Sequence, residues 1–143
     1  MLAAALVLTA GCSRAVGVPD PLPSGAAAPA CGALMADLPG TVLDQQRRRV
    51  EPGGNAAAWG KPAIVLRCGV PAPPGLTPGS ACLEVNGVGW YAEDAQGGKI
   101  FTTIGRPAFV ELAVPQHYAP ESGALVDLAA AVTAHDPVTT PCS

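Results

Sequence analysis

The sequence predicts an α+β domain: a small, mainly antiparallel sheet of four to five strands, with N- and C-terminal helices packed on one face and disulfides stapling it together. Three observations predict it. Short apolar runs separated by turn residues fill the middle of the chain, helical periodicity marks both flanks, and Cys31, Cys68, Cys82 and Cys142 are spread across residues 31–143. The chain has 143 residues, 49% hydrophobic and 13% charged, enough for one modest core and too apolar for charge-driven disorder.

The apolar stretch Met1 to Gly11 is shorter than the ~20 residues that cross a bilayer core and matches the apolar region of a secretory signal peptide. Ala10 and Gly11 directly before Cys12 resemble the lipobox of bacterial lipoproteins, in which the cysteine thiol receives a diacylglyceryl group and cleavage frees its amine. Residues 1–11 are therefore the expected signal peptide and Cys12 the expected lipidation site. Thr9 stands where that pattern has a branched aliphatic residue. No Lys or Arg precedes Cys12, which predicts a translation start upstream of Met1. Residues 12–30 hold Pro19, Pro21, Pro23 and Pro29 among Gly, Ala and Ser, without periodicity, and read as a tether reaching about 25 Å. A globular domain is expected over residues 31–143.

Within that domain, Cys31 to Leu38 presents Leu34, Met35 and Leu38 on one helical face before Pro39-Gly40 stops it. A second helical stretch is expected from Val42 through Arg47, Arg48 and Arg49, ended by Pro52-Gly53-Gly54-Asn55. Ala63 to Cys68 is an apolar strand, Cys82 to Val85 a short alternating one, and Asn86-Gly87 a hairpin turn into Val88 to Glu93. Lys99 to Ile104 and Ala108 to Val114 complete the strands. Gly123 to His135 closes the chain as a helix, with Leu125, Leu128, Ala129 and Val132 at i, i+3, i+4 and i+7.

With Cys12 reserved for lipid, four cysteines remain in an exported chain and read as two disulfides. Three pairings are possible. The favoured one joins Cys31 to Cys142, tying the ends of the folded region, and Cys68 to Cys82, pinning the proline-rich loop between them. Zinc is disfavoured because no C-x-x-C pair exists and the spacings are wide.

The order and spacing of Cys31-Gly-Ala-Leu, Trp59-Gly with Pro62, Leu66-Arg67-Cys68-Gly69, Val85-Asn86-Gly87-Val88-Gly89-Trp90 and Gly105-Arg106-Pro107-Ala108-Phe109-Val110-Glu111 resemble the actinobacterial DUF3515 family. The resemblance spans about Cys31 to Val132. It implies a secreted protein or lipoprotein and carries over no catalytic residue, because the family's function is unknown.

A net charge of −3 gives no reason to expect nucleic acid or an anionic lipid surface as partner, and Arg47 to Arg49 read as a solvated run. The only histidines are His117 and His135. His135 suits the C-terminal end of a helix dipole, which leaves His117, with Glu111 or Asp127, as the sole acid–base candidate. No cofactor or metal is expected. The six aromatic side chains are foremost core material. Should Trp59, Arg67, Trp90, Arg106 and Glu111 converge on one side of the sheet, they would line a shallow cleft for an anionic or sugar-bearing ligand. The sequence thus supports a noncatalytic envelope lipoprotein that binds a partner protein or wall component. The alternative is a small envelope hydrolase.

Overall fold

The computed structural model describes residues 14–142; the expected signal peptide and Cys12 lie outside the described residues. Ten strands and two helices appear: β1 (Val16–Gly17), α1 (Ala27–Ala36), β2 (Thr41–Val42), β3 (Gln45–Arg48), β4 (Val50–Glu51), β5 (Ala56–Trp59), β6 (Ile64–Cys68), β7 (Leu83–Val85), β8 (Val88–Ala95), β9 (Gly98–Thr103), β10 (Val110–Pro115) and α2 (Ala124–His135). The main sheet has eight strands in the order β2-β3-β5-β6-β10-β9-β8-β7, every neighbouring pair antiparallel. β1 pairs separately with β4 in parallel. The α+β class holds, while the expected four to five strands understate the sheet.

Of the strands missed in the sequence, β2, β3 and β4 lie where a second helix is expected. From Val42 through the arginines the chain instead turns back on itself, Val42 pairing with Gln45 across a two-residue turn. Leu43 and Asp44 take φ of 48° and 61°, the left-handed values such a turn requires, and neither is the glycine that advertises it. The Asp127 carboxylate of α2 accepts the Leu43 N–H at 2.8 Å and so holds the turn from outside. The Gln-Gln-Arg-Arg run that follows favours helix locally, but pairing with β5 overrides that preference. β5 itself, Ala-Ala-Ala-Trp, is buried throughout and shows no alternation to read.

One face of the sheet carries the core. Trp59, Ile64, Leu66, Cys68, Val110, Leu112, Phe101 and Trp90 share it by register and meet Leu34 of α1 with Leu125, Leu128 and Val132 of α2. Both helices therefore pack on the same face, as expected. α1 starts at Ala27, a turn earlier than its periodicity announces, because Pro29 sits in the first turn, where no backbone donor is needed. Trp59 is fully buried, donates its Nε1–H to the Pro39 carbonyl at 3.0 Å and is covered by the Arg47 guanidinium 5.3 Å from its ring centre. Trp59→Phe removes the hydrogen bond and weakens the cation–π contact. It is expected to lower stability by about 1–2 kcal/mol with the fold retained, as thermal unfolding would show.

The segment 14–30, expected as a free tether, is docked on the domain. Val16 and Val18 donate their N–H groups to the carbonyls of Arg49 and Glu51, Val18 is buried, Asp20 accepts the Asn55 N–H at 2.7 Å, and Pro23 lies against Gly69. Pro19, Pro21 and Pro23 carry no N–H for a helix or a strand ladder, so this stretch docks through the residues around them, which composition alone does not distinguish from a flexible linker.

The disulfides correct the expected pairing: Cys31 joins Cys68 and Cys82 joins Cys142, with Cα–Cα distances of 5.6 and 5.9 Å. Topology explains why. After β6 the chain crosses to the far edge of the sheet before starting β7, with β10, β9 and β8 in between. Four strand spacings separate Cys68 from Cys82, on the order of 19 Å, whereas a bridge needs Cα atoms within about 7 Å. Cys31, on the buried side of α1, instead lies directly over β6.

Candidate functional site

The five residues expected to line a cleft are not brought together. Trp59 and Trp90 are fully buried on the helix-covered face. Arg67 and Glu111, opposite each other in the β6–β10 register, project from the other face and form an ion pair, Nε and Nη2 of Arg67 donating to Glu111 Oε1 at 3.0 and 2.9 Å. Period-two alternation separates them: Trp59 pairs with Ile64 in β6, and Arg67 lies an odd number of residues further on.

Arg106 belongs to a buried node at the end of α2. Its Nη1 donates to the Asp136 carbonyl and its Nη2 to the Gly87 carbonyl at 3.1 Å, while Asp136 Oδ1 accepts the Ala108 N–H at 3.0 Å. Arg106 Nε and Asp136 Oδ2 are buried without a partner. Burial holds the Asp136 carboxyl above the usual carboxylate range and the Arg106 guanidinium below its own, since both charged forms lose hydration. These groups fasten the Asn86-Gly87 turn and the start of β10 to the helix end.

Beyond that node the C-terminal tail folds back over the open face of the sheet. Thr139 and Thr140 donate their N–H groups to the Gly105 carbonyl at 2.7 and 3.1 Å, and the tail ends in the Cys82–Cys142 bridge. The bridge rests on Gly89, where a β-carbon would collide with both sulfurs. The proline-rich loop crosses the same face, and Gly75 lies so close to the Tyr91 hydroxyl that a β-carbon there would strike it. Between loop and tail is a hollow of about 420 Å³ lined by Leu76, Thr77, Pro78 and Ser80 of the loop, Ile104, Thr140, Pro141 and the two cysteines. Its size falls within the range of small-ligand pockets, and every lining side chain is uncharged. Thr77 and Ser80 hydroxyls, 3.3 Å apart, supply its polar points.

The expected acid–base group is not assembled among the described residues. His117 is exposed, its ring stands perpendicular to that of Tyr118 at 4.9 Å, Glu111 is held by Arg67, and Asp127 holds the Leu43 turn. The histidine that does pair is His135, whose Nε2 lies 2.8 Å from Asp37 Oδ2 and links the C-terminal ends of α2 and α1. Among the described residues no three His, Cys, Asp or Glu side chains gather as a metal site. The hollow left one trace in the sequence: a proline- and glycine-rich loop ending at a cysteine. Its second wall could not be seen, because the pairing of Cys142 depends on topology.

No curated protein and no solved structure matches the chain. The model of one family, described as a protein of unknown function (DUF3515), matches residues 1–140. By that match across nearly its whole length, the chain belongs to the DUF3515 family.

Proposed function

We propose that this chain is a noncatalytic lipoprotein of the cell envelope, anchored through Cys12 on the extracytoplasmic face of the membrane, which takes a partner protein or wall component at the hollow beside the Cys82–Cys142 bridge. The hollow carries the reading. Its walls are two segments without regular structure, tied together at one end by a disulfide, and its lining offers apolar surface and hydroxyls with no group that titrates near neutrality. Such a surface suits capture, not proton transfer. Two disulfides support the compartment, since such bridges persist where the surroundings are oxidising.

A photo-crosslinking amino acid at Thr77, on the rim, tests the reading in intact cells. A discrete adduct is expected at that position, lost when Ile104→Trp fills the hollow, with no adduct from the same amino acid at Thr133 on α2. Equal adducts at both positions, or an adduct at Thr77 indifferent to Ile104→Trp, would remove the hollow from consideration.

A further inference from the structure

The basic residues of this chain are not scattered. Arg48 donates from Nη2 to the Arg14 carbonyl and from Nη1 to the Gly60 carbonyl, each at 2.9 Å, so one guanidinium ties the N-terminal segment to the residue preceding Lys61. Val16 donates its N–H to the Arg49 carbonyl at 2.9 Å. Arg14, Arg48, Arg49 and Lys61 thus gather where the N-terminal segment meets β3 and the end of β5, while Arg47 projects from the opposite face of β3 over Trp59. The first four are half of the eight basic residues in the chain. Arg14, Arg47, Arg49 and Lys61 are exposed and Arg48 half-buried. Acidic neighbours are few: Asp44, Asp20, which holds the Asn55 N–H, and Glu51, 3.4 Å from Arg49. At the opposite edge of the sheet stand Glu84, Glu93 and Asp94, where Lys99 is already paired with Asp94. A net charge of −3 conceals this separation.

Covalent distance gives the basic end a partner. Cys12 is two residues from Arg14, at most about 7 Å of chain. The Arg14 carbonyl is held by Arg48, so the docked segment leaves no slack for the domain to stand off. That span is inside the Debye length of about 8 Å at physiological salt, so these cations would feel the charge of the leaflet that carries the anchor. Guanidinium groups also match phosphate geometry. We infer that the end formed by Arg14, Arg48, Arg49 and Lys61 lies against anionic phospholipid headgroups, holding the domain on the bilayer surface. The inference rests on the anchor at Cys12 proposed above.

Vesicle partitioning tests it. The full chain carrying Cys12→Ser is mixed with vesicles of phosphatidylcholine alone, or with one quarter phosphatidylglycerol, and the bound fraction is read by flotation at low and molar salt. The apolar leader contributes equally to both vesicles, so their ratio reports the basic end. Each cation near an anionic surface favours binding by about fivefold, so for the four together a preference on the order of several hundredfold for anionic vesicles is expected, vanishing in molar salt. Arg49→Gln with Lys61→Gln should lower that preference about twentyfold, and Lys99→Gln should leave it unchanged. Equal partitioning to both vesicles, or a preference indifferent to the double substitution, would overturn the proposal. Fatty-acid labelling of the wild-type chain separates the two readings. Label at Cys12 without anionic preference keeps the anchor and sinks the surface contact, whereas preference without label does the reverse.

Discussion

Replacing Cys31 by alanine is expected to lower the unfolding free energy by about 4 kcal/mol, and adding Cys68→Ala should change little more. The bridge closes a 37-residue separation, for which the loop-closure relation gives that magnitude. Its position enlarges the consequence. Both cysteines are fully buried, and the bridge fixes the ten-residue helix α1 to the middle of the sheet, where Leu34 enters the core. A helix that short is marginal alone, and α1 has no side-chain N-cap to help it. Since domains of this size are stable by only about 5–15 kcal/mol, the variant should unfold at much lower denaturant, with α1 the first element to lose hydrogen-exchange protection. The same experiment reads the connectivity. Cys82→Ala added to Cys31→Ala should cost a further increment, about 4 kcal/mol in the same relation, because it opens an independent bridge spanning 60 residues. Had Cys31 been paired with Cys142, the near-zero second step would fall on Cys142 instead of Cys68.

Asp136→Ala is expected to cost about 1–3 kcal/mol, the range for leaving a buried hydrogen-bonding group without its partner. Asp136 is fully buried and Arg106 nearly so. The substitution leaves the Ala108 N–H without its acceptor and the Arg106 charge without its nearest counter-charge. Asp136→Asn keeps an oxygen for Ala108 and should cost less. Its comparison with the wild type has a definite pH dependence. Burial raises the folded-state pKa of Asp136 above its unfolded value. The wild type therefore has its full contribution from this group below the unfolded carboxyl pKa and loses it as pH rises through the higher folded value. The disadvantage of Asp136→Asn should accordingly be largest in acid and shrink toward neutrality. Chemical denaturation of both proteins across that range measures it, and a disadvantage that grows with pH would mean that Asp136 is held ionised.

Much of this fold is legible in the sequence wherever one local pattern decides one element. β6 and β10 alternate buried and half-buried residues, Asn86-Gly87 makes its turn with φ of 48° and 82°, and α2 follows its apolar spacing from Ala124 to His135. The failures are places where distant residues decide. Leu43-Asp44 turns because Asp127, 84 positions away, satisfies its backbone, and nothing in Val42 to Arg49 alone announces a strand. Residues 14–30 have linker composition but are captured by hydrogen bonds to β4 and Asn55. Cysteine pairing follows strand order: Cys68 and Cys82 are close in sequence and far apart in space because β7 sits at the outer edge. The expected cleft failed for a related reason, since aromatic and charged residues on neighbouring strands share a face only when the register permits. The arginine run changed most. Read as a solvated face because a charge run is ordinarily one, it is divided by the fold, which turns Arg47 onto Trp59 and ties Arg48 to Arg14 and Gly60.

Intact mass spectrometry of the mature protein, extracted from membranes without reductant, tests most directly the proposal that Cys12 holds this disulfide-bonded domain at the membrane. The predicted species begins at Cys12, carries a diacylglyceryl group there and has no free thiol, with nonreducing peptide fragments linking Cys31 to Cys68 and Cys82 to Cys142. A mature chain that begins elsewhere, lacks lipid at Cys12 or retains free thiols at the other four cysteines would contradict it.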